Sequence, residues 1–220
     1  MRLGVLVSGS GSNLQAIIDR IRDGALDAEL AVVISNKDDA YGLQRAREAG
    51  IPIQVIRHAD FPVREDFDRE LVRQLQAVQV EYVALAGFMR ILTSEFLAPF
   101  VGRVVNIHPA LLPACPGLHA QRQQAEHGVR VAGCTVHFVD EQMDHGPIII
   151  QGVVPAFPGD DGESLGARIL TMEHRIYPQA LQWLAQGRVR LNGRQVCVDG
   201  VSEAMGRFWT NPPLESPFDC

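Results

Sequence analysis

Residues 3–14 read Leu-Gly-Val-Leu-Val-Ser-Gly-Ser-Gly-Ser-Asn-Leu, an apolar run that passes through two glycines into a polar segment. An apolar run followed by a glycine turn and a helical pattern predicts a strand at Leu3–Val7 and a helix over about Ser12–Asp23. Glycines let the backbone approach a ligand closely, and the start of a helix offers free amides and a partial positive charge. The stretch therefore predicts the first strand–turn–helix unit of a Rossmann-like sheet, with a candidate anion site at the turn.

The same alternation of short apolar runs and helical patterns continues through the first half of the chain. Further helices are predicted at about Ala40–Ala49 and Val63–Gln79, where apolar residues recur at helical spacing. Such alternation implies right-handed βαβ units and a parallel sheet with helices on both faces. The further strands are predicted at Ala31–Ser35, Ile53–Ile56, Tyr82–Ala86 and Arg103–Ile107.

The pattern changes in the second half. Two β-rich runs, Thr135–Val139 and Ile148–Val154, are joined by Asp140–Pro147, a loop too short for a helical crossover. They are therefore expected to pair antiparallel. A long helix is predicted at about Gly162–Gln186, and Pro178 is expected to kink or split it.

These patterns predict an α/β fold with a mostly parallel Rossmann-like sheet, helices on both faces and an antiparallel elaboration in its second half. We expect a single domain over residues 1–188 and a C-terminal extension over residues 189–220. The extension carries two short β-like pieces and ends in Asn-Pro-Pro and Ser-Pro, so we expect it to be loosely attached.

Composition excludes several classes of protein. The 220 residues carry a net charge of −6, which argues against a broad electrostatic grip on nucleic acid. No apolar run approaches the ~20 residues of a membrane-spanning helix, and the first apolar run is too short for a signal peptide. The four cysteines form no Cys-x-x-Cys pair, and no histidine pair has the spacing of a helical zinc site, so no metal is expected. A cytoplasmic protein is expected.

The glycine turn is open to two interpretations. One is a phosphate site, and the other is a tight strand-to-helix turn with Ser12 or Asn13 as the helix cap. A dinucleotide site fits poorly, because Leu14 stands where the Gly-x-Gly-x-x-Gly pattern needs its third glycine. The second strand also ends in Ile34-Ser35-Asn36-Lys37, without the acidic residue that binds the adenosine ribose. A single phosphate group is the better hypothesis.

Asn106-Ile107-His108-Pro109 lies at the end of a predicted strand. Strand side chains alternate, so Asn106 and His108 point to the same side, and Pro109 restricts His108 to an extended backbone. An amide donor beside an imidazole suits an oxyanion that develops on a carbonyl carbon, although a histidine before proline is more often structural. The loops after the first, fourth and fifth strands should meet at the carboxyl edge of the sheet, where such folds bind ligands.

Several segments, in order over roughly residues 1–188, resemble the glycinamide ribonucleotide formyltransferases. The Asn106, His108 and Asp144 trio marks the wider superfamily of formyl-folate transferases. The serine- and glycine-rich loop together with Glu173 is typical of the ribonucleotide enzymes. The segments are Ser8-Gly9-Ser10-Gly11-Ser12-Asn13-Leu14-Gln15-Ala16, Ser35-Asn36-Lys37, Ala86-Gly87-Phe88-Met89-Arg90-Ile91-Leu92, Asn106-Ile107-His108-Pro109, Asp140–Pro147 and Glu173-His174-x-Ile176-Tyr177-Pro178.

The resemblance implies roles for individual residues. Catalysis is assigned to Asn106, His108 and Asp144. The substrate phosphate and ribonucleotide are assigned to Gly11, Ser12, Asn13 and Glu173. The folate pocket is assigned to Arg64, Met89, Arg90, Ile91, Leu92, Asn106, Val139, Asp140, Glu141 and Asp144.

The same resemblance implies a reaction and its partners. The co-substrate is 10-formyltetrahydrofolate, and the acceptor is the amine of 5'-phosphoribosylglycinamide, with no metal, nucleic acid or membrane involved. The N-terminal half of the domain would bind the phosphate and ribonucleotide, and the C-terminal half would bind the folate. The oligomeric state stays open between monomer and homodimer.

Two residues depart from the family pattern. His145 stands where a glycine is expected in Asp-Gly-Gly-Pro, and this matters if that backbone needs a positive φ. Cys115 stands where an aromatic residue is expected before Pro-Gly, which leaves a smaller wall beside the pocket.

Four other functions share part of the pattern. A methionyl-tRNA formyltransferase would need a nucleic-acid-binding domain and more positive charge. A formyl-folate hydrolase is expected to carry an N-terminal regulatory domain, whereas this chain starts directly with its first strand. Sugar-amine formyltransferases should lack the phosphate loop and Glu173, and a non-catalytic phosphate sensor would not need the trio.

Overall fold

The computed structural model of the chain describes residues 1–201, so the rest of the extension, including its Asn-Pro-Pro and Ser-Pro segments, lies outside the described residues. Seven strands form one sheet in the spatial order β3-β2-β1-β4-β5-β6-β7. Strands β1 to β5 pair in parallel, as predicted. The strands are β1 (Arg2–Val7), β2 (Glu29–Ser35), β3 (Ile53–Val55), β4 (Tyr82–Leu85), β5 (Val104–His108), β6 (Val131–Phe138) and β7 (Ile148–Pro155).

Helices cover both faces of the sheet, which confirms the predicted fold class. Residues of α1 and α6 contribute to one buried apolar cluster, and residues of α3 and α4 contribute to a second cluster on the other face. The three helices predicted in the first half are present, whereas α4 and α5 were not predicted. The helices are α1 (Ser12–Arg22), α2 (Tyr41–Glu48), α3 (Arg64–Ala77), α4 (Ser94–Leu97), α5 (Ala120–Glu126) and α6 (Gly162–Ala185). None of these helices is long and apolar enough to cross a membrane.

Strands β6 and β7 pair antiparallel, as predicted, and β6 also pairs antiparallel with β5. In the β5–β6 register, Asn106 lies opposite His137, and His108 lies opposite Thr135. Opposite residues of two strands project to the same face of the sheet. The pairing therefore puts these four polar side chains together beside the carboxyl end of β5.

Helix α6 begins with a capping box, in which the Asp161 carboxylate accepts hydrogen bonds from the backbone N–H groups of Glu163 and Ser164. The helix then runs without a break through Pro178 to Ala185, so the proline does not split it. Proline removes one backbone hydrogen bond, but the neighbouring turn is deeply buried and held by its packing.

A two-stranded hairpin follows α6 and contains both of the β-like pieces predicted beyond Gly187. Its strands are β8 (Val189–Asn192) and β9 (Gln195–Val198), joined by the two-residue turn Gly193-Arg194. Val189 and Val196 pack against the apolar cluster of α1 and α6. The described part of the extension is therefore in contact with the main body of the chain.

Tyr177 connects α6 to the centre of the sheet. Its side chain is fully buried, and its hydroxyl lies 3.0 Å from the carbonyl oxygens of both Leu85 in β4 and Val105 in β5. A buried hydroxyl needs a partner, and either carbonyl can accept its proton. The contact fixes α6 beneath two strands whose carboxyl ends lead into the site.

We expect Tyr177→Phe to lower the free energy of unfolding by about 1–2 kcal/mol, because it removes a buried hydrogen bond. Urea unfolding followed by circular dichroism measures the change. Tyr41→Phe, at a position where the side chain is half exposed, serves as the control and should stay within about 0.5 kcal/mol of the parent. Equal stability of the two variants would contradict the role of the hydroxyl.

Candidate active site

The glycine loop after β1 is held against the first turn of α2. Gly11 has a φ of 68°, and a Cβ at this position would lie 2.5 Å from the Cα of Gly42. The Gly42 N–H donates to the carbonyl of Gly9 over 3.0 Å. Both the positive φ and the close approach require glycine at position 11. The loop is therefore rigid, and it leads directly into the N-terminus of α1.

Ser8 links this loop to two others at the same edge of the sheet. Its hydroxyl donates to Oδ1 of Asn36, after β2, over 2.6 Å. The hydroxyl oxygen of Ser8 also accepts a hydrogen bond from the backbone N–H of Met89, after β4, over 2.8 Å. The loops after β1 and β4 thus meet at the carboxyl edge, as expected, and the loop after β2 joins them.

A cleft of about 400 Å³ opens at this edge. The loop residues 8–13 form one wall, and α6 contributes Glu173 to another. Glu173 is the one charged side chain among the described lining residues, so no cation lines the cleft. The remaining lining residues are Ala86, Gly87, Met89, Ile107, Pro109, Gln121, Gly166, Ala167 and Leu170.

Asn13 and Glu173 form a buried pair in the cleft. Nδ2 of Asn13 donates to Oε2 of Glu173 over 2.7 Å. Burial raises the pKa of Glu173, and the hydrogen bond from Asn13 offsets part of that effect. Oδ1 of Asn13 is buried without a partner among the described residues. The pair therefore contains one buried acceptor that no described residue satisfies.

His108 and Asp144, far apart in sequence, meet at the end of β5. Nδ1 of His108 lies 3.3 Å from Oδ2 of Asp144, and the two side chains are 5% and 11% exposed. Nε2 of His108 lies 2.8 Å from the carbonyl oxygen of Cys115, which can only accept, so this nitrogen carries a proton. Both ring nitrogens of His108 thus face hydrogen-bond acceptors.

Asn106 completes the trio through His137. Nδ2 of Asn106 lies 3.2 Å from Nε2 of His137, whose Nδ1 donates to the carbonyl of Phe138 over 2.8 Å. These partners assign the proton of His137 to Nδ1, so Nε2 accepts from Asn106. Burial lowers the pKa of His137 and favours this neutral form. His137 therefore fixes which way the Asn106 amide points.

The sequence analysis selected neither His137 nor Thr135 as a site residue. The hydroxyl of Thr135 is fully buried, donates to the carbonyl of Ala110 over 2.7 Å and accepts from the N–H of Leu112 over 3.0 Å. It thereby fixes the chain just after His108. The available signal was alternation within β6, since Thr135 and His137 are polar residues two apart in an otherwise apolar strand.

Asp144 itself has an unusual backbone conformation. Its φ is 52°, and its Oδ2 accepts from the N–H of Gly117 over 2.7 Å. Such strain in a non-glycine residue is typical of functional sites, and aspartate tolerates it better than most residues. The positive φ of this segment thus falls on Asp144, and His145 does not share it. Gly146 is the position that needs glycine, because a Cβ there would lie 1.8 Å from the carbonyl oxygen of Phe138.

The residues predicted to bind folate differ in exposure. A guanidinium nitrogen of Arg64 donates to the carbonyl of Ile91 over 2.8 Å, which joins α3 to the loop after β4. Met89 and Ile91 are more than half exposed, whereas Leu92 is buried in the second apolar cluster. Arg90 is half-buried, Val139 packs against that same cluster, and Asp140 and Glu141 lie in the loop that carries Asp144.

The loop from Leu111 to His119 contacts both His108 and the loop that carries Asp144. Cys115 and His119 both have positive φ values, 49° and 60°, and His119 is exposed at the start of α5. A Cβ on Gly117 would lie 3.2 Å from the methyl group of Met143, so this loop touches the loop that carries Asp144. Residues 1–201 contain no group of three His, Cys, Asp or Glu side chains arranged to hold a metal ion.

Comparisons with known proteins identify the family of the chain. The family of formyl transferases matches residues 1–181. Phosphoribosylglycinamide formyltransferase of Escherichia coli K12 is 46% identical over 200 residues, which cover 91% of this chain and 94% of that protein. The solved structure of glycinamide ribonucleotide transformylase 1 from Symbiobacterium toebii has a TM-score of 0.89 at 54% identity, over 90% of this chain and 93% of that one.

A longer relative matches through one part of its length. The trifunctional purine biosynthetic protein adenosine-3 of Drosophila pseudoobscura pseudoobscura is 55% identical over 191 residues, and these cover 86% of this chain. The chain spans 14% of the length of that protein. Because the family match extends over residues 1–181 and the E. coli relative matches along nearly its whole length, the chain belongs to the formyl transferase family.

Proposed function

We propose that the chain transfers the formyl group of 10-formyltetrahydrofolate to the glycinamide amine of 5'-phosphoribosylglycinamide, a step of purine biosynthesis. The products are formylglycinamide ribonucleotide and tetrahydrofolate. The observation that carries the proposal is the arrangement of Asn106, His108 and Asp144 at the same sheet edge as a rigid glycine loop. The relatives from E. coli and Haemophilus influenzae bear the name of this activity.

The ribonucleotide binds in the cleft of the glycine loop. Backbone N–H groups of Gly11, Ser12 and Asn13 at the N-terminus of α1 receive the phosphate, where the helix contributes a partial positive charge. Asn13 and Glu173 then face the ribose or glycinamide part. Both are acceptors for hydroxyl or amine protons there, and the unpartnered Oδ1 of Asn13 supports this role.

The formyl group lies beside the trio. The amine attacks the formyl carbon, and the carbonyl oxygen becomes an oxyanion of the tetrahedral intermediate. Asn106 donates one of its two amide N–H groups to His137 and keeps the second for this oxyanion. The His108 imidazolium supplies the second donor through Nε2–H, which exchanges its hydrogen bond to the Cys115 carbonyl for one to the oxyanion.

Asp144 stabilises the charged His108 and assists the transfer of a proton from the attacking amine to N10 of the leaving tetrahydrofolate. Its 3.3 Å contact with Nδ1 supports the first role. The folate is held by Arg64, Arg90, Leu92 and the loop from Val139 to Asp144, bordered by Met89 and Ile91. The exposed apolar side chains of Met89 and Ile91 offer surface to a pterin or aromatic ring.

The working unit of the proposal is residues 1–188, with phosphate and ribonucleotide bound in its N-terminal half and folate in its C-terminal half. The enzyme is proposed to act in the cytoplasm on these two small molecules, either as a monomer or as a homodimer.

The first experiment mixes the purified chain with 10-formyltetrahydrofolate and follows loss of the formyl group by absorbance, with and without the ribonucleotide. Loss that requires the ribonucleotide and disappears in His108→Ala is expected. Equal loss in both tubes would indicate a hydrolase, and no loss in either would indicate a binding protein.

Asp144→Asn should lower kcat by about a hundredfold, or ~3 kcal/mol, because it removes the charge that stabilises the His108 imidazolium. Asparagine tolerates the same positive φ and can still accept from Gly117, so the loop should keep its conformation. Steady-state kinetics should give a nearly unchanged KM for the ribonucleotide. Asp38→Asn, at an exposed ion pair with Arg57, is the matched control, and normal turnover in Asp144→Asn would remove Asp144 from the mechanism.

Glu173→Gln should make the protein more stable than the parent at high pH and weaken ribonucleotide binding. Burial raises the pKa of Glu173 above its ordinary value of 4.5, so ionisation of the folded chain costs free energy. The contribution of the protonated group is fully present below pH 4.5 and is lost as pH rises through the raised value. The urea midpoints of the parent and the variant should therefore be similar at pH 4.5, and at pH 8 the variant should have the higher midpoint. A parent with a higher midpoint than the variant at pH 8 would disprove this.

A further inference from the structure

We propose that the hairpin of β8 and β9 clamps the loop that carries Asp144, through Arg194. This inference rests on the proposed function, because it assigns the hairpin a role in positioning that function's folate loop. Arg194 is a positioning residue in this proposal and contacts neither substrate.

Arg194 reaches the loop from the tip of the hairpin. One guanidinium nitrogen, Nη2, donates to the carbonyl oxygen of His145 over 2.6 Å. The other nitrogen, Nη1, lies 3.1 Å from Nδ1 and 3.3 Å from Nε2 of the His145 imidazole ring. The guanidinium thus engages both the backbone and the side chain of the residue next to Asp144.

His145 carries the contact across the loop. Its Nδ1 lies 3.1 Å from Oδ2 of Asp140, which is five residues earlier and at the start of the same loop. With the proton on Nδ1, the ring donates to Asp140, while Nη1 of Arg194 lies nearly equidistant from the two ring nitrogens and packs against the ring. The chain Arg194–His145–Asp140 therefore holds the two ends of the loop together.

The loop otherwise has few anchors near its tip. Residues 141–143 are exposed, and Asp144 has a strained φ of 52° that its surroundings must maintain. The N–H of Gly117 holds the carboxylate of Asp144, but that donor belongs to another loop. An external support at His145 therefore limits the conformations open to Asp144 and its neighbours.

The hairpin is firm enough to act as this support. It packs on the main apolar cluster through Val189 and Val196. At its base, Nε of Arg188 donates to the carbonyl of Asp199 over 2.7 Å, and Arg188 N–H donates to Trp183 at the end of α6. The tip is a two-residue turn with Gly193 at a φ of 61°, which fixes the direction of Arg194. The support thus runs from α6 through the hairpin to the folate loop.

The clamp also gives a physical reason for the departure at position 145. A glycine there would keep the carbonyl that Nη2 binds but would lose the ring that joins Arg194 to Asp140. The backbone at 145 needs no glycine, since its φ is not positive. The histidine therefore adds a side-chain connection at no backbone cost.

The test compares Arg194→Ala with Arg190→Ala. Arg190 lies on the same hairpin and pairs with Asp199 instead of the loop, so Arg190→Ala removes the same charge without touching the loop contact. Arg194→Ala should raise KM for 10-formyltetrahydrofolate about fivefold, keep KM for the ribonucleotide within about twofold, and speed amide exchange of residues 141–146 about tenfold. Arg190→Ala should change none of these, and Arg194→Lys, which keeps one donor for the His145 carbonyl, should fall between alanine and the parent.

A double variant tests the ring. If His145 transmits the contact, the exchange effect of Arg194→Ala should be smaller in a His145→Gly background. The clamp is overturned if Arg194→Ala leaves loop exchange and folate KM unchanged, if both KM values rise equally, or if Arg190→Ala has the same effects. Amide exchange needs no substrate, so a parent chain that fails to transfer formyl groups would refute the proposed function, while the exchange comparison would still decide whether the clamp exists.

Discussion

The antiparallel pairing of β6 with β5 is the constraint on which the site depends. Its register sets Asn106 opposite His137 and His108 opposite Thr135, so four polar side chains share one face beside a sheet edge. A one-residue shift in the pairing register would turn the polar side chains of one strand to the other face of the sheet. The loop that follows β6 folds back onto this face, and Asp144 thereby reaches both His108 and His137. Every contact proposed for catalysis follows from that register.

Burial of polar groups around this register serves orientation more than stability. Burial lowers the pKa of His137 and raises that of Glu173, so each is held away from its charged form. In return, neutral His137 aims the Asn106 amide, and Glu173 with Asn13 keeps an acceptor pair facing the cleft. The hydroxyl of Thr135 fixes the backbone after His108 through its hydrogen bonds to Ala110 and Leu112. The networks of His137 and Thr135 are satisfied and allow one arrangement of the reacting groups. The strained φ of Asp144 is likewise maintained by its surroundings.

Three loops and the hairpin meet at this face, each held by a different kind of contact. The glycine loop is fixed by a backbone approach between Gly11 and Gly42 that no side chain could enter. The loop after β5 is fixed through the hydroxyl of Thr135, and the loop that carries Asp144 is fixed by the N–H of Gly117 and by Arg194. The contact between Gly11 and Gly42 is buried, whereas the contact between Arg194 and His145 lies at the surface. The folate side is therefore the part of the site that is easiest to perturb.

The sequence by itself determined the alternation of strands and helices, the glycine turn, and the resemblance that selected Asn106, His108 and Asp144. These features are local, since periodicity, turn chemistry and short motifs act over a few residues. The tertiary structure alone decided that β6 lies beside β5, that His137 and Thr135 belong to the site, that the positive φ falls on Asp144, and that Arg194 reaches His145. Those facts depend on strand register and on contacts between residues 23 or more positions apart, or on a backbone conformation imposed by neighbours. No local pattern encodes them. Pro178 shows the same limit, because packing around α6 outweighs a local preference to break the helix.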